Sequence, residues 1–167
     1  MSSWQWRRGK VAWRQIIAEL ELLPHPEGGW YRELYRSSQN VETARGRRSA
    51  LTTIYYLLQT GQCSRWHVVD ADEVWHFYAG APLELLTYDP HRAALERRTL
   101  VSPGGGGAPV SVVAAGIWQA ARCLGEYSLV GCTVGPGFEF SGFQLVASLP
   151  GFSEHFRGPL RTLQDLL

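Results

Sequence analysis

The sequence predicts an all-β domain, an antiparallel sandwich or barrel with one N-terminal helix. Three observations carry this. From Trp30 onward, short runs rich in β-branched and aromatic residues follow one another. Turn chemistry separates them: Gly46, Gly61, Asp70-Ala71-Asp72, Gly80-Ala81-Pro82, Asp89-Pro90, Gly104 to Gly107, Gly116, Gly125 and Gly135-Pro136-Gly137. No stretch of helical period lies between the runs, so βαβ units and a parallel sheet are excluded.

The elements follow in chain order. Residues 11–23 read as the one long helix, because Trp13, Ile16, Ile17 and Leu20 fall on a single apolar stripe and Pro24 and Pro26 end it. Strands are expected at 30–37, 50–58, 64–69, 73–79, 83–88, 94–101, 110–113, 117–123 and 127–134. A short helical tail is expected from Pro159, with Leu160, Leu163, Leu166 and Leu167 as its apolar positions. Residues 1–10 read as a flexible N-terminus and 11–167 as a single domain, since 167 residues without a linker or second composition regime suit one core.

Composition excludes several function classes. The chain is 45% hydrophobic and 19% charged, which is globular and not disordered. A net charge of +1 gives no reason to expect a nucleic-acid or membrane partner, and the short basic clusters at Arg7-Arg8 and Arg45, Arg47-Arg48 read as solvated. Cys63, Cys123 and Cys132 are odd in number and form no close pair, so neither a disulfide framework nor a zinc knuckle is expected and a reducing, cytoplasmic location follows. Gly104 to Gly107 lacks the Lys and Ser/Thr of a phosphate-binding loop. Ser64 has no nucleophile elbow around it.

The informative stretch runs from Gly61 to Gly80. It reads as a hairpin turning at 70–72. Side chains alternate along a strand, so Arg65, His67 and Val69 share one face of the first strand, and Glu73, Trp75 and Phe77 one face of the second. If both faces point inward, His67 and Glu73 lie on neighbouring strands in one cavity. The spacing Gly61, five residues, His67, one residue, Val69, three residues, Glu73, six residues, Gly80 resembles the first conserved motif of the cupin superfamily. That motif carries two metal-binding histidines and a glutamate; here the second histidine position is Val69. Ala114-Ala115-Gly116-Ile117-Trp118-Gln119 resembles the second motif, with Gln119 at its histidine position.

Three further strings narrow the resemblance. Pro24 to Glu33 (PHPEGGWYRE), Asp72 to Gly80 (DEVWHFYAG) and Val130 to Phe138 (VGCTVGPGF) are similar to cupin family five, over about Leu22 to Leu145. The resemblance implies an RmlC-like double-stranded β-helix (jelly-roll) barrel and a homodimer, to which strand 30–37 could contribute an edge. It assigns no reaction.

At the motif positions the chain offers one imidazole, one carboxylate and one neutral amide. A catalytic zinc or facial-triad iron needs more, so no cofactor is expected; a metal, if bound, would use His67, Glu73 and Gln119. His76 lies on the opposite face from Glu73 by strand parity. His67 and Glu73 are instead expected to act as a catalytic acid–base pair, although such a pair can also be purely structural. Trp75 and Phe77 would line the cavity, while ordinary barrel core is the plainer reading of either alone. Gln119 would donate to a substrate. Tyr56 and Tyr31 are possible hydroxyl donors. Arg65, if inward, is an anion anchor for a carboxylate or phosphate; at the strand start it equally suits the rim. His25-Pro26-Glu27-Gly28-Gly29 reads as a rigid corner docking the helix, the other reading being a loop at the pocket mouth with Glu27 reaching in.

The expected partner is a small molecule. The leading expectation is a metal-independent isomerase or epimerase of a sugar-like or acidic metabolite. A non-catalytic ligand-binding module is the alternative, followed by a metal-dependent oxygenase or lyase.

Overall fold

The computed structural model describes residues 13–146 and Leu166. A helix, α1 (Trp13–Glu19), precedes β1 (Leu23–Pro24), β2 (Trp30–Arg36), β3 (Asn40–Thr43), β4 (Gly46–Ser49), β5 (Thr52–Gln59) and β6 (Cys63–Val69). There follow β7 (Asp72–Gly80), β8 (Leu83–Asp89), β9 (Ala94–Leu100), β10 (Val110–Val113), β11 (Trp118–Cys123), β12 (Tyr127–Gly135) and β13 (Phe143–Leu145). They form a six-stranded sheet in the order β1-β2-β5-β12-β7-β10, a five-stranded sheet in the order β13-β6-β11-β8-β9, and a separate β3-β4 hairpin. The strand pairings in all three are antiparallel. Among the described residues no helix is long and apolar enough to cross a membrane.

The two large sheets enclose a packed interior. Tyr56 and Leu58 of β5, Trp75 of β7, and Val130 and Cys132 of β12 meet Leu83 and Leu85 of β8, Leu100 of β9 and Ala121 of β11. Strand alternation sorts the faces. On β12, Val130 and Cys132 point into this core, while Leu129 points out and packs with Leu57 against Ile16 and Leu22. On β6, Trp66 points away from the interior into a second cluster with Leu86, Ala120 and Leu166.

Three sequence expectations need correction. The helix ends at Glu19 rather than at residue 23. The Leu22 amide donates to the Ile17 carbonyl and the Glu21 amide to the Ala18 carbonyl, with Glu21 at φ 52°, so a left-handed Schellman turn stops the helix before the prolines do. Second, β6 and β7 are not a hairpin. β6 pairs with β11 and β13, and β7 with β12 and β10, so the connection at 70–71 crosses between sheets. Third, β1, β3, β4 and β13 are additional strands, the last pairing β6 on the side away from β11. The expected helical tail lies outside the described residues, apart from Leu166, which is buried in a 3-10 turn. Residues 1–10 lie outside them too.

Candidate functional site

Toward Glu73 on β7 and Val134 on β12 the interior is not filled. A cavity of about 150 Å³ remains there. His67, Glu73 and Cys132 line its deep part, all of them nearly inaccessible, and His25, Glu27 and Tyr31 join them. The exposed Phe140 and the ion-paired Glu33, Arg36 and Glu139 mark the mouth.

A β-bulge orients His67. On β11 the step from Gln119 to Ala121 spans two residues, but it faces the three-residue step from His67 to Ser64 on β6. The extra residue puts Ser64, not Arg65, on the inward face with His67. Arg65 instead turns to the 25–29 loop, donating through Nη2 to the Pro26 carbonyl at 2.5 Å and through Nε to the Glu27 carbonyl at 3.3 Å. The expectation that Arg65 shares the face of His67 as an anion anchor is corrected by this bulge.

That loop is not a corner for the helix. It is the tight connection of the β1-β2 hairpin, closed by His25 N–H donating to the Gly29 carbonyl at 3.0 Å. Gly28 has φ 111°, and a Cβ there would sit 2.2 Å from the Cys63 carbonyl oxygen, so only glycine lets the loop lie against β6. The Tyr56 hydroxyl donates to the Gly28 carbonyl at 2.7 Å. The result carries Glu27 into the interior, where it is only 6% exposed.

Glu27 is the residue that sequence reasoning undervalued. Its Oε2 lies 3.2 Å from His67 Nδ1, and Ser64 Oγ donates to its Oε1 at 3.0 Å. His67 Nδ1 also lies 2.7 Å from the Arg65 carbonyl oxygen. A carbonyl only accepts, so Nδ1 carries the proton and Nε2 is the basic nitrogen. The arrangement of base, orienting carboxylate and supporting hydroxyl is one that proton-transfer catalysis uses. His25 accepts from the Glu27 amide through Nδ1 at 3.3 Å; burial pushes its pKa down and His67 adds to this, against the pull of Glu27.

Glu73 faces this pair from the other sheet. Gln119 Nε2 donates to its Oε2 at 2.5 Å, and Trp75 Nε1 donates to Gln119 Oε1 at 3.0 Å. An indole N–H can only donate, so the Gln119 oxygen must face Trp75 and its amide nitrogen must face Glu73. Burial lifts the Glu73 pKa above its ordinary 4.5 and the Glu27 charge adds to the rise, while His67 and hydrogen bonds from Gln119 and Cys132 oppose it. Burial also pushes the Cys132 thiol well up, with the charges of Glu73 and Glu27 in the same direction.

The raised carboxyl makes stability pH-dependent. Folded Glu73 holds its proton at pH values where the unfolded chain has released it, so its contribution is fully present below pH 4.5 and is lost as pH rises through the folded value. Glu73→Gln removes that loss. Thermal melts from pH 4 to 8 should show Glu73→Gln gaining on the parent protein as pH rises; a constant difference would mean that Glu73 is not held protonated.

Of the expected site residues, His67 and Glu73 come together, but across the interior rather than side by side. Trp75 and Phe77 pack in the core below the cavity and do not line it. Gln119 and Tyr56 stand one layer behind, holding Glu73 and the 25–29 loop. His76 is on the opposite face of β7, as parity requires; it does not line the cavity. The expected set of His67, Glu73 and Gln119 does not suit a transition metal. Gln119 offers nitrogen-bound hydrogens, not oxygen, and no group of three His, Cys, Asp or Glu among the described residues is placed to share one ion.

Relatives share this architecture. A structure from Shewanella oneidensis is 34% identical, covering 90% of this chain and 94% of its own, with a TM-score of 0.76. A hypothetical protein from Leishmania major is 31% identical over 87% of this chain and 94% of its own, also with a TM-score of 0.76. A Bacillus subtilis oxalate decarboxylase variant, 15% identical and covered over 38% of its length, shares the fold with a TM-score of 0.59. No curated protein matches. A profile described as Cupin superfamily (DUF985) matches residues 14–146, and by that match the chain belongs to the cupin superfamily.

Proposed function

We propose that the protein is a metal-independent isomerase or epimerase that moves a proton at carbon inside a jelly-roll barrel. The observation that carries this is the His67–Glu27 contact opposite Glu73. It pairs a base of defined tautomer with a carboxylic acid whose environment favours the protonated form. His67 Nε2 takes a proton from a carbon next to a carbonyl, Glu27 stabilises the imidazolium that forms, and Glu73 donates to the developing oxyanion. The strand order of the two sheets supports the jelly-roll reading.

Solvent exchange tests the reaction class. Incubated in deuterium oxide with a panel of small hydroxy-carbonyl compounds, the protein should introduce deuterium beside the carbonyl of at least one of them. Overnight treatment with a chelator should leave that rate unchanged. Loss of exchange on chelation, restored by a divalent metal, would overturn the metal-independent mechanism.

A further inference from the structure

The cavity's charge and size restrict what it can accept. Among the described residues only one arginine, Arg36, lines it, and that guanidinium is held by Glu33, Glu139 and the Phe138 carbonyl. Arg65 is spent on the backbone carbonyls of Pro26 and Glu27. Arg48, buried nearby, is spent on Asp70 and the Gly137 carbonyl. No lysine occurs among the described residues. Against this, the carboxyls of Glu27 and Glu73 are buried in the lining itself. An anion would enter a poorly hydrated space with no free arginine or lysine among the described residues to meet it and the Glu27 carboxylate to oppose it. The volume, about 150 Å³, matches that of a cavity able to hold a benzene-sized molecule, far below the size that drug-like or nucleotide-linked ligands need.

We infer that the site takes a small, uncharged hydroxy-carbonyl compound, such as a free short-chain sugar, and rejects phosphorylated and nucleotide-linked forms. The hydroxy-carbonyl part of this assignment rests on the proton-transfer reading above; the exclusion of anions rests on charge and volume alone. The lining suits such a ligand. Tyr31, Phe138 and Phe143 offer apolar faces to C–H groups, and His67 Nε2 and the Glu73 carboxyl accept from and donate to oxygens. This replaces the acidic metabolite that an inward Arg65 would have favoured.

Matched pairs give the test: D-glyceraldehyde and its 3-phosphate, D-erythrose and its 4-phosphate, and D-ribose and its 5-phosphate, titrated into protein labelled with ¹⁵N-histidine. Saturable shifts of the His67 ring signals by at least one free sugar, with its phosphate bound at least about tenfold more weakly, are expected. Inorganic phosphate should leave those signals in place. Equal or tighter binding of the phosphorylated partner overturns the inference, as does failure of all three free sugars to saturate by about 50 mM. Deuterium exchange on the same samples separates the two claims. Free-sugar binding without exchange removes the catalytic reading and leaves the ligand class. Exchange confined to phosphorylated sugars removes the ligand class and leaves the catalytic reading.

Discussion

His67→Ala is expected to slow proton transfer at carbon by about 10³-fold or more while the ligand still binds. His67 contributes the basic nitrogen, and no other lining group among the described residues can replace it. His25 is the nearest candidate, but its Nδ1 accepts from the Glu27 amide and burial holds its pKa down. Glu27→Gln should lose about 10²- to 10⁴-fold, because the Arg65 carbonyl still holds the tautomer but a neutral amide no longer stabilises the imidazolium formed on His67. Both variants are to be compared by deuterium exchange for turnover and by ligand-dependent melting for binding. Since alanine at position 67 leaves the buried Glu27 without its partner, His67→Gln, which keeps the volume, serves as the folding control. Equal losses of binding and turnover in both position-67 variants would count against the base role and for a plain binding site.

Much of this arrangement was legible in the sequence, and the part that was not has definite causes. The nine expected strands correspond to β2 and β5 through β12, because most are runs rich in β-branched and aromatic residues with Gly, Pro or Asp close by. β3 and β4, with the sequences NVET and GRRS, have no apolar alternation to announce them. The relation of His67 to Glu73 was half legible. Alternation places both inward, but it cannot tell a hairpin turn at Asp70-Ala71 from a crossing between sheets, which depends on the distant partners β11 and β12. The bulge that exchanges Arg65 for Ser64 is likewise a property of pairing and not of local composition. Glu27 lies forty residues from His67 in sequence, 67 minus 27, and only the close packing of Gly28 on Cys63 brings it in. The glycines and prolines of that loop were the available signal. Cys132 was also within reach, since Val130, Cys132 and Val134 alternate inward on β12.

Trp75→Ala should destabilise the protein by about 3–5 kcal/mol, a fall in Tm of about 6–20 °C for a domain of this size. The indole is only 1% exposed, in edge contact with Tyr56 at 6.0 Å between centroids, and its loss opens a void in the main core. The more informative change is Trp75→Phe, which keeps most of the packing and removes the N–H. Gln119 Oε1 is then an unsatisfied buried acceptor, at a cost of about 1–3 kcal/mol. The amide is also no longer forced to point its nitrogen at Glu73. Once it can turn, Glu73 loses a fixed donor, and the geometry of the acid relaxes although Trp75 never touches the cavity. Trp75→Phe should therefore lower turnover as well as stability, and Gln119→Glu, which replaces the donor with a carboxyl, should disturb Glu73 further. A Trp75→Phe variant that loses stability but keeps full exchange activity would show that the core supports the barrel without positioning the acid. The hydrogen-bonded chain from Trp75 through Gln119 to Glu73 predicts that stability and turnover fall together.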